Sequence, residues 1–227
     1  MKKVFLVLFF TVFSSGLLFG QNVYLVGGLS GSLVSFSYAD VPDFYDEFPV
    51  LAPNVGIFYE AGINRTWSLK PGIFANKQGV KLVSEPTSGY YVENKYIISY
   101  LETPLLLCYK FRRSSKRDLH MSVSAGPFFS YGYYGKFITS NAAVYEEENI
   151  FVGSDDLFRS NYGATIMFTT GYDNHRLSAY ISPGLRNIAM SEGIFTKFRT
   201  MSAGISYNFI LNTNPKKSGF VLRKMFY

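Results

Sequence analysis

Along most of this chain apolar side chains recur at every second position, the spacing that places them on one face of an extended strand. Turn residues bound these runs and divide them into eight expected strands, near 23–36, 53–63, 67–78, 96–111, 119–137, 162–172, 176–187 and 198–211. The intervening segments are 16, 3, 17, 7, 24, 3 and 10 residues long, so long and short connections alternate. That rhythm predicts an all-β fold, an eight-stranded antiparallel up-and-down transmembrane β-barrel, with short turns on the periplasmic side and long loops facing the medium. The expected outer loops are 37–52, 79–95, 138–161 and 188–197.

Alternation alone does not say which face looks inward. A soluble eight-stranded ligand-binding barrel lines its cavity with the apolar face, whereas a membrane barrel turns that face to lipid. The other face separates the two. Between 162 and 172, Tyr162, Ala164, Ile166 and Phe168 alternate with Gly163, Thr165, Met167, Thr169 and Gly171. On the last strand Met201, Ala203, Ile205, Tyr207 and Phe209 alternate with Thr200, Ser202, Gly204, Ser206 and Asn208. A water-facing strand surface would carry Lys, Glu and Arg for solubility. Gly, Ser and Thr suit a narrow, filled interior, so the membrane barrel is the reading and the soluble barrel the alternative. Trp67, Tyr100, Tyr109, Tyr131, Tyr133 and Tyr180 are candidates for interfacial girdles.

The first residues change the address. Met1-Lys2-Lys3 followed by the apolar run Val4 to Phe13, then Ser14, Ser15, Gly16 and Gly20, reads as a secretory signal peptide over 1–20. The barrel is expected over 21–211, and 212–227 is a basic periplasmic tail with Lys216, Lys217, Arg223 and Lys224. Cys108 is the one cysteine, which excludes an internal disulfide and leaves no lipidation site after the apolar run. Aromatic residues make up 18% of the 227 and charged ones 17%, the reverse of a disordered composition. The net charge of +6 lies in the two ends: residues 21–211 hold 16 basic and 16 acidic side chains, so the folded part offers no nucleic acid a basic stripe. Twelve of the 16 acids fall in the expected outer loops.

With strands and address in place, particular blocks become informative. Tyr100-Leu101-Glu102-Thr103-Pro104-Leu105-Leu106-Leu107-Cys108-Tyr109-Lys110-Phe111 resembles the strand "Y-L-E-I-P-L-L-x-K-Y-x-F" of the PorT-like family of small bacterial outer-membrane β-barrel proteins. Leu69-Lys70-Pro71-Gly72 through Asn76-Lys77-Gln78-Gly79 is similar to its third strand, Ala125-Gly126-Pro127 to its fifth, and Gly184-Leu185-Arg186-Asn187-Ile188 to its seventh, in the right order. Thr103 replaces the family's Ile, Asn161 stands where an acid is expected, and the basic tail is additional. The resemblance implies a barrel in the cell outer membrane of Gram-negative bacteria. One similar member is linked to type IX secretion, so a component of such a secretion or assembly machinery is a second expectation for function.

Candidate chemistry is thin. His120 and His175 both fall at periplasmic ends, no Cys/His set has zinc spacing, and no Gly-rich segment precedes a helix. No catalytic residue, metal site or cofactor is therefore expected, and the protein reads as a non-enzymatic barrel with a structural or surface-interaction role. The expected partners are outer-membrane lipid, and proteins reached through the long outer loops or the periplasmic turns and tail; the barrel itself is expected to be monomeric. The alternation does force charges inward. With the turn centred on Arg65, Glu60 and Lys70 stand opposite one another, and Glu102 and Arg186 also fall on inward positions, so the four are expected to form one interior ion network.

Overall fold

In the computed structural model of the protein, residues 22–38, 45–84, 92–111, 119–140, 145–151, 157–189 and 195–211 are described. The expected signal peptide and basic tail lie outside these residues. Nine strands form: β1 (Asn22–Tyr38), β2 (Tyr45–Gly62), β3 (Trp67–Ser84), β4 (Val92–Lys110), β5 (Leu119–Ser140), β6 (Tyr145–Asn149), β7 (Ser160–Tyr172), β8 (His175–Pro183) and β9 (Phe195–Ile210). Eight of them pair antiparallel in the order β4-β3-β2-β1-β9-β8-β7-β5, and β5 pairs back to β4, which closes the ring. The short β6 lies outside the ring, laid against the far end of β5.

The strands run well past the expected boundaries. β2 begins at Tyr45 and β4 at Val92, so much of the expected loops 37–52 and 79–95 is continuous ladder, from Tyr45 opposite Ser84 to Lys81 opposite Lys95. Sequence polarity concealed this, because a β-ladder is held by backbone hydrogen bonds and continues above the hydrocarbon, where the outward face no longer has to be apolar. A membrane-crossing strand needs only ~9–11 residues, whereas β5 has 22. The β2 to β5 wall therefore projects beyond the membrane as an extended sheet. β8 is shorter than expected, since Pro183 has no N–H to continue the ladder.

Side-chain burial confirms the facing. Along β7 the lumen takes Asn161, Gly163, Thr165, Met167 and Thr169, while Tyr162, Ile166 and Phe168 point out. Leu29, Leu51, Val55, Ile166 and Ile205 are each more than half exposed, an outward apolar surface that water alone would not tolerate. One shift interrupts β5: its pairing to β4 slips between Ser99/Tyr100, so Gly132 and Gly135 both face inward with the outward Tyr133 and Tyr134 between them. Such a bulge re-aims the strand where it leaves the membrane. Of the six girdle candidates, Trp67, Tyr109, Tyr131 and Tyr133 face outward, whereas Tyr100 is fully buried and Tyr180 reaches across the lumen to Asn54. Even-numbered positions on β4 and β8 face inward, and that parity decides both.

Candidate functional site

The lumen is filled in layers. Towards the long connections lies an apolar plug of Val34, Val80, Leu82, Ile98, Tyr100, Ile150, Leu157, Ile188 and Phe198. Ile150, Leu157 and Ile188 come from connections rather than the named strands, so the loops fold back into the barrel mouth. Asn187 assists: its side-chain oxygen accepts from the Phe198 N–H at 2.7 Å, a substitute for ladder pairing. A second apolar cluster of Tyr24, Val26, Phe58, Leu106, Met167 and Ile210 fills the lumen towards the short turns, with the Phe58 and Phe74 rings 4.7 Å apart edge to face.

Between and beside these clusters the wall is polar, with some of its side chains paired to one another. Thr165 bonds Ser182 and Thr169 bonds Ser178, each at 2.8 Å, and Asn161 donates to Thr200 at 2.9 Å. These are cross-strand pairs of small residues, the composition that singled out the inward face. Cys108 is a buried, free thiol on the same face as Leu106.

The interior charges do not form the single expected network. In the β2–β3 register Ala61 pairs with Leu69 and Phe58 with Gly72, which places Glu60 opposite Lys70 on the lumen side as the centred turn predicts. The ion pair to Glu60, however, is made by Lys110 at the end of β4. Glu60 Oε1 also accepts from Ser68 Oγ at 2.7 Å, and Oε2 accepts from the Tyr24 hydroxyl. The Lys70 ammonium instead lies 4.8 Å from the Tyr24 ring centroid, a cation–π contact. Glu102 sits apart in mid-lumen, where Asn76 Nδ2 donates to it at 3.1 Å. Arg186 is farther still: it donates to Ser160 and stacks 4.5 Å from the Phe158 ring. Arg186 lies ten residues along the chain beyond Arg176, the β8 residue whose charge acts on Glu60, and past the end of β8 at Pro183. Parity put all four on one face without ranking their depth along the barrel.

Lys110, Tyr24 and Arg176 escaped the expected network, although each lies on an inward parity. Lys110 is eight residues after Glu102, and Arg176 is two before Ser178. Both histidines sit at the short-turn end, where His175 bonds Tyr207 on the outer surface and His120 contacts Ser122 at 3.2 Å. Among the described residues no three His, Cys, Asp or Glu gather as metal ligands. The clusters Glu146-Glu147-Glu148 lie exposed on β6, with Glu147 paired to Lys136 at 3.3 Å. Asp155-Asp156 lies outside the described residues.

A closed antiparallel ring with leucine and isoleucine outside and hydroxyls, amides and a plug within defines an integral β-barrel of the outer membrane. The soluble ligand-carrier alternative falls with that facing. The chain belongs to the family described as the outer membrane protein beta-barrel domain, whose model matches residues 19–189. No curated protein matches it in sequence. Among solved structures it is similar to the outer membrane protein OprG from Pseudomonas aeruginosa, at 10% identity over 84% of this chain and 96% of that one, TM-score 0.45. It is similar also to Neisserial surface protein A, at 10% identity over 82% and 96%, TM-score 0.42. A third is Ail, the attachment invasion locus protein of Yersinia pestis, solved with the heparin analogue sucrose octasulfate, at 11% identity over 84% and 98%, TM-score 0.39.

Proposed function

We propose that the protein is a closed, non-catalytic outer-membrane barrel that acts as a structural and surface-interaction scaffold. The observation that supports this is the apolar plug: Leu82, Ile98 and Tyr100 from the wall meet Ile150, Leu157 and Ile188 from the connections, each at most 4% exposed. An eight-stranded interior leaves little room beyond its own side chains, and at the mouth they are packed into a closed plug. Work is left to the surfaces above and below the membrane. The sheet extension of β2 to β6 carries exposed Glu146, Glu147 and Glu148 and the Lys81, Glu93 and Lys95 cluster. In planar bilayers the purified protein gives no stable porin-sized steps; such steps would refute the closed barrel. Replacing 145–149 by Gly and Ser leaves the barrel folded and removes protein partners captured by cross-linking on intact cells. Capture unchanged by that replacement would remove the surface role from this extension.

Within the family, we place the chain among PorT-like barrels, exported by a signal peptide and monomeric in the membrane. The Tyr100–Phe111 block supports the placement: Tyr100, Glu102, Leu106 and Cys108 form the lumen wall while Leu101, Leu105, Leu107 and Tyr109 face out, so the motif is a two-faced barrel strand. A role in secretion machinery of the type IX kind is the second reading, and it rests on the same resemblance of the Tyr100–Phe111 block. Co-purification from detergent with other envelope proteins tests it.

A further inference from the structure

Among the described residues the short-turn end of the lumen holds three cations around one carboxylate. Lys70, Lys110 and Arg176 surround Glu60, and among the described residues no other carboxylate lies within ion-pair distance of these cations. Glu60 is already heavily used: Oε1 takes Lys110 and Ser68, and Oε2 takes the Tyr24 hydroxyl. Lys70 is only 3% exposed; its ammonium lies over the faces of Tyr24 and Phe58, and the carboxylate its charge reaches is Glu60. Arg176 donates from Nη2 to the Asp173 carbonyl at 3.2 Å, but its Nε and Nη1 are shut off from solvent with no acceptor. Next to it, the Asn208 amide is used on Ser178, while the Ser206 hydroxyl, opposite Ser178 on β9, is buried and unpartnered.

Burying an ammonium and a guanidinium around a carboxylate already paired to a third cation is expensive, and N–H donors left unmade add to the cost. The uncompensated donors point to what relieves it. A tetrahedral oxyanion presents several acceptor oxygens and matches a guanidinium better than a halide does. Lys110 keeps 27% of its side chain exposed, so the cluster is in reach of solutes from the short-turn side. We propose that this end of the lumen is a binding site for a phosphate-class oxyanion, held by Arg176 and Lys70 with Ser206 as a neutral donor, and with Glu60 as the competing internal anion.

The experiment uses the full chain folded in a neutral detergent. The temperature at which the folded band disappears on gels is followed against inorganic phosphate, with chloride adjusted to keep ionic strength constant. Phosphate is expected to raise that temperature saturably, as a ligand of the folded state must, and chloride is not. Arg176→Gln and Lys70→Gln each raise the half-saturating phosphate by about tenfold, the scale of one lost charge-assisted contact. Arg65→Gln, in the exposed β2–β3 turn, leaves the response unchanged. Glu60→Gln strengthens it, an outcome that a purely structural role of these residues does not produce. Should the lumen variants fail to fold, phosphorus NMR line broadening on the wild type, reversed by excess sulfate, supplies the same answer. Equal responses to phosphate and chloride, or a full phosphate response in folded Arg176→Gln, overturn the proposal.

Discussion

Lys110, and not Lys70, completes the ion pair of Glu60, although Lys70 stands directly across the hairpin from it. Lys110 extends from β4, two strands away from Glu60 on β2, so the contact bridges the barrel interior instead of running along one hairpin. A buried pair of this kind is costly to break and nearly neutral to replace whole. Lys110→Met is expected to destabilise the barrel by up to ~3 kcal/mol, and the double change Glu60→Gln with Lys110→Met to recover less than an isolated pair would, because Lys70 and Arg176 then lose their carboxylate. Urea titrations of the folded band check both; additive losses would mean that the pair is not coupled.

Adjacent glycines on β1 have opposite tolerance. A Cβ on Gly27 meets nothing within 4 Å, whereas one on Gly28 would lie 2.2 Å from the Ile205 carbonyl oxygen on β9. Gly27→Ala should fold as the wild type does. Gly28→Ala forces the β1–β9 seam apart, and this is the pairing that joins the first strand to the last. Refolding yield by gel mobility distinguishes them, and equal yields would remove the close approach.

Ile205 is 65% exposed on the outer face of β9, in register with Leu29 on β1. Arg at the bilayer midplane costs ~2–4 kcal/mol in such barrels, so Ile205→Arg lowers the heat-modifiable fraction, as do Leu105→Arg and Ala164→Arg. Arg at position 146, on exposed β6, is tolerated. If Ile205→Arg assembles as well as Glu146→Arg, the outer face is not in lipid.

Above the membrane, Lys81 lies 2.7 Å and Lys95 3.1 Å from the Glu93 carboxylate. The Lys81 hydrogen bond, reinforced by Lys95, holds the Glu93 carboxyl below its usual range. A depressed folded value means that its stabilising contribution is complete above the ordinary carboxylate range, ~4.3, and is lost as pH falls through the folded value. Carboxyl-carbon NMR should give Glu93 a midpoint below that of a free glutamate, moved upward in Lys81→Met. An unmoved midpoint would make the pair incidental.

The alternation along the sequence determined which side of each strand meets the membrane, because period-two geometry ties every second side chain to one face. Thr165, Ser202 and Ser206 read as inward from that pattern and are inward. Turn spacing likewise placed the hairpin at Arg65 and hence Glu60 across from Lys70. Depth along the axis and contacts between non-adjacent strands belong to closure of the ring, which no local pattern encodes. Closure decided that Lys110 takes Glu60, that Arg186 stays with Ser160 and Phe158, and that Ile188 turns back into the mouth. Strand length was also a tertiary outcome: once a ladder is nucleated in lipid, backbone pairing carries β2 to β5 into water whatever the side chains say, and so converts expected loops into sheet.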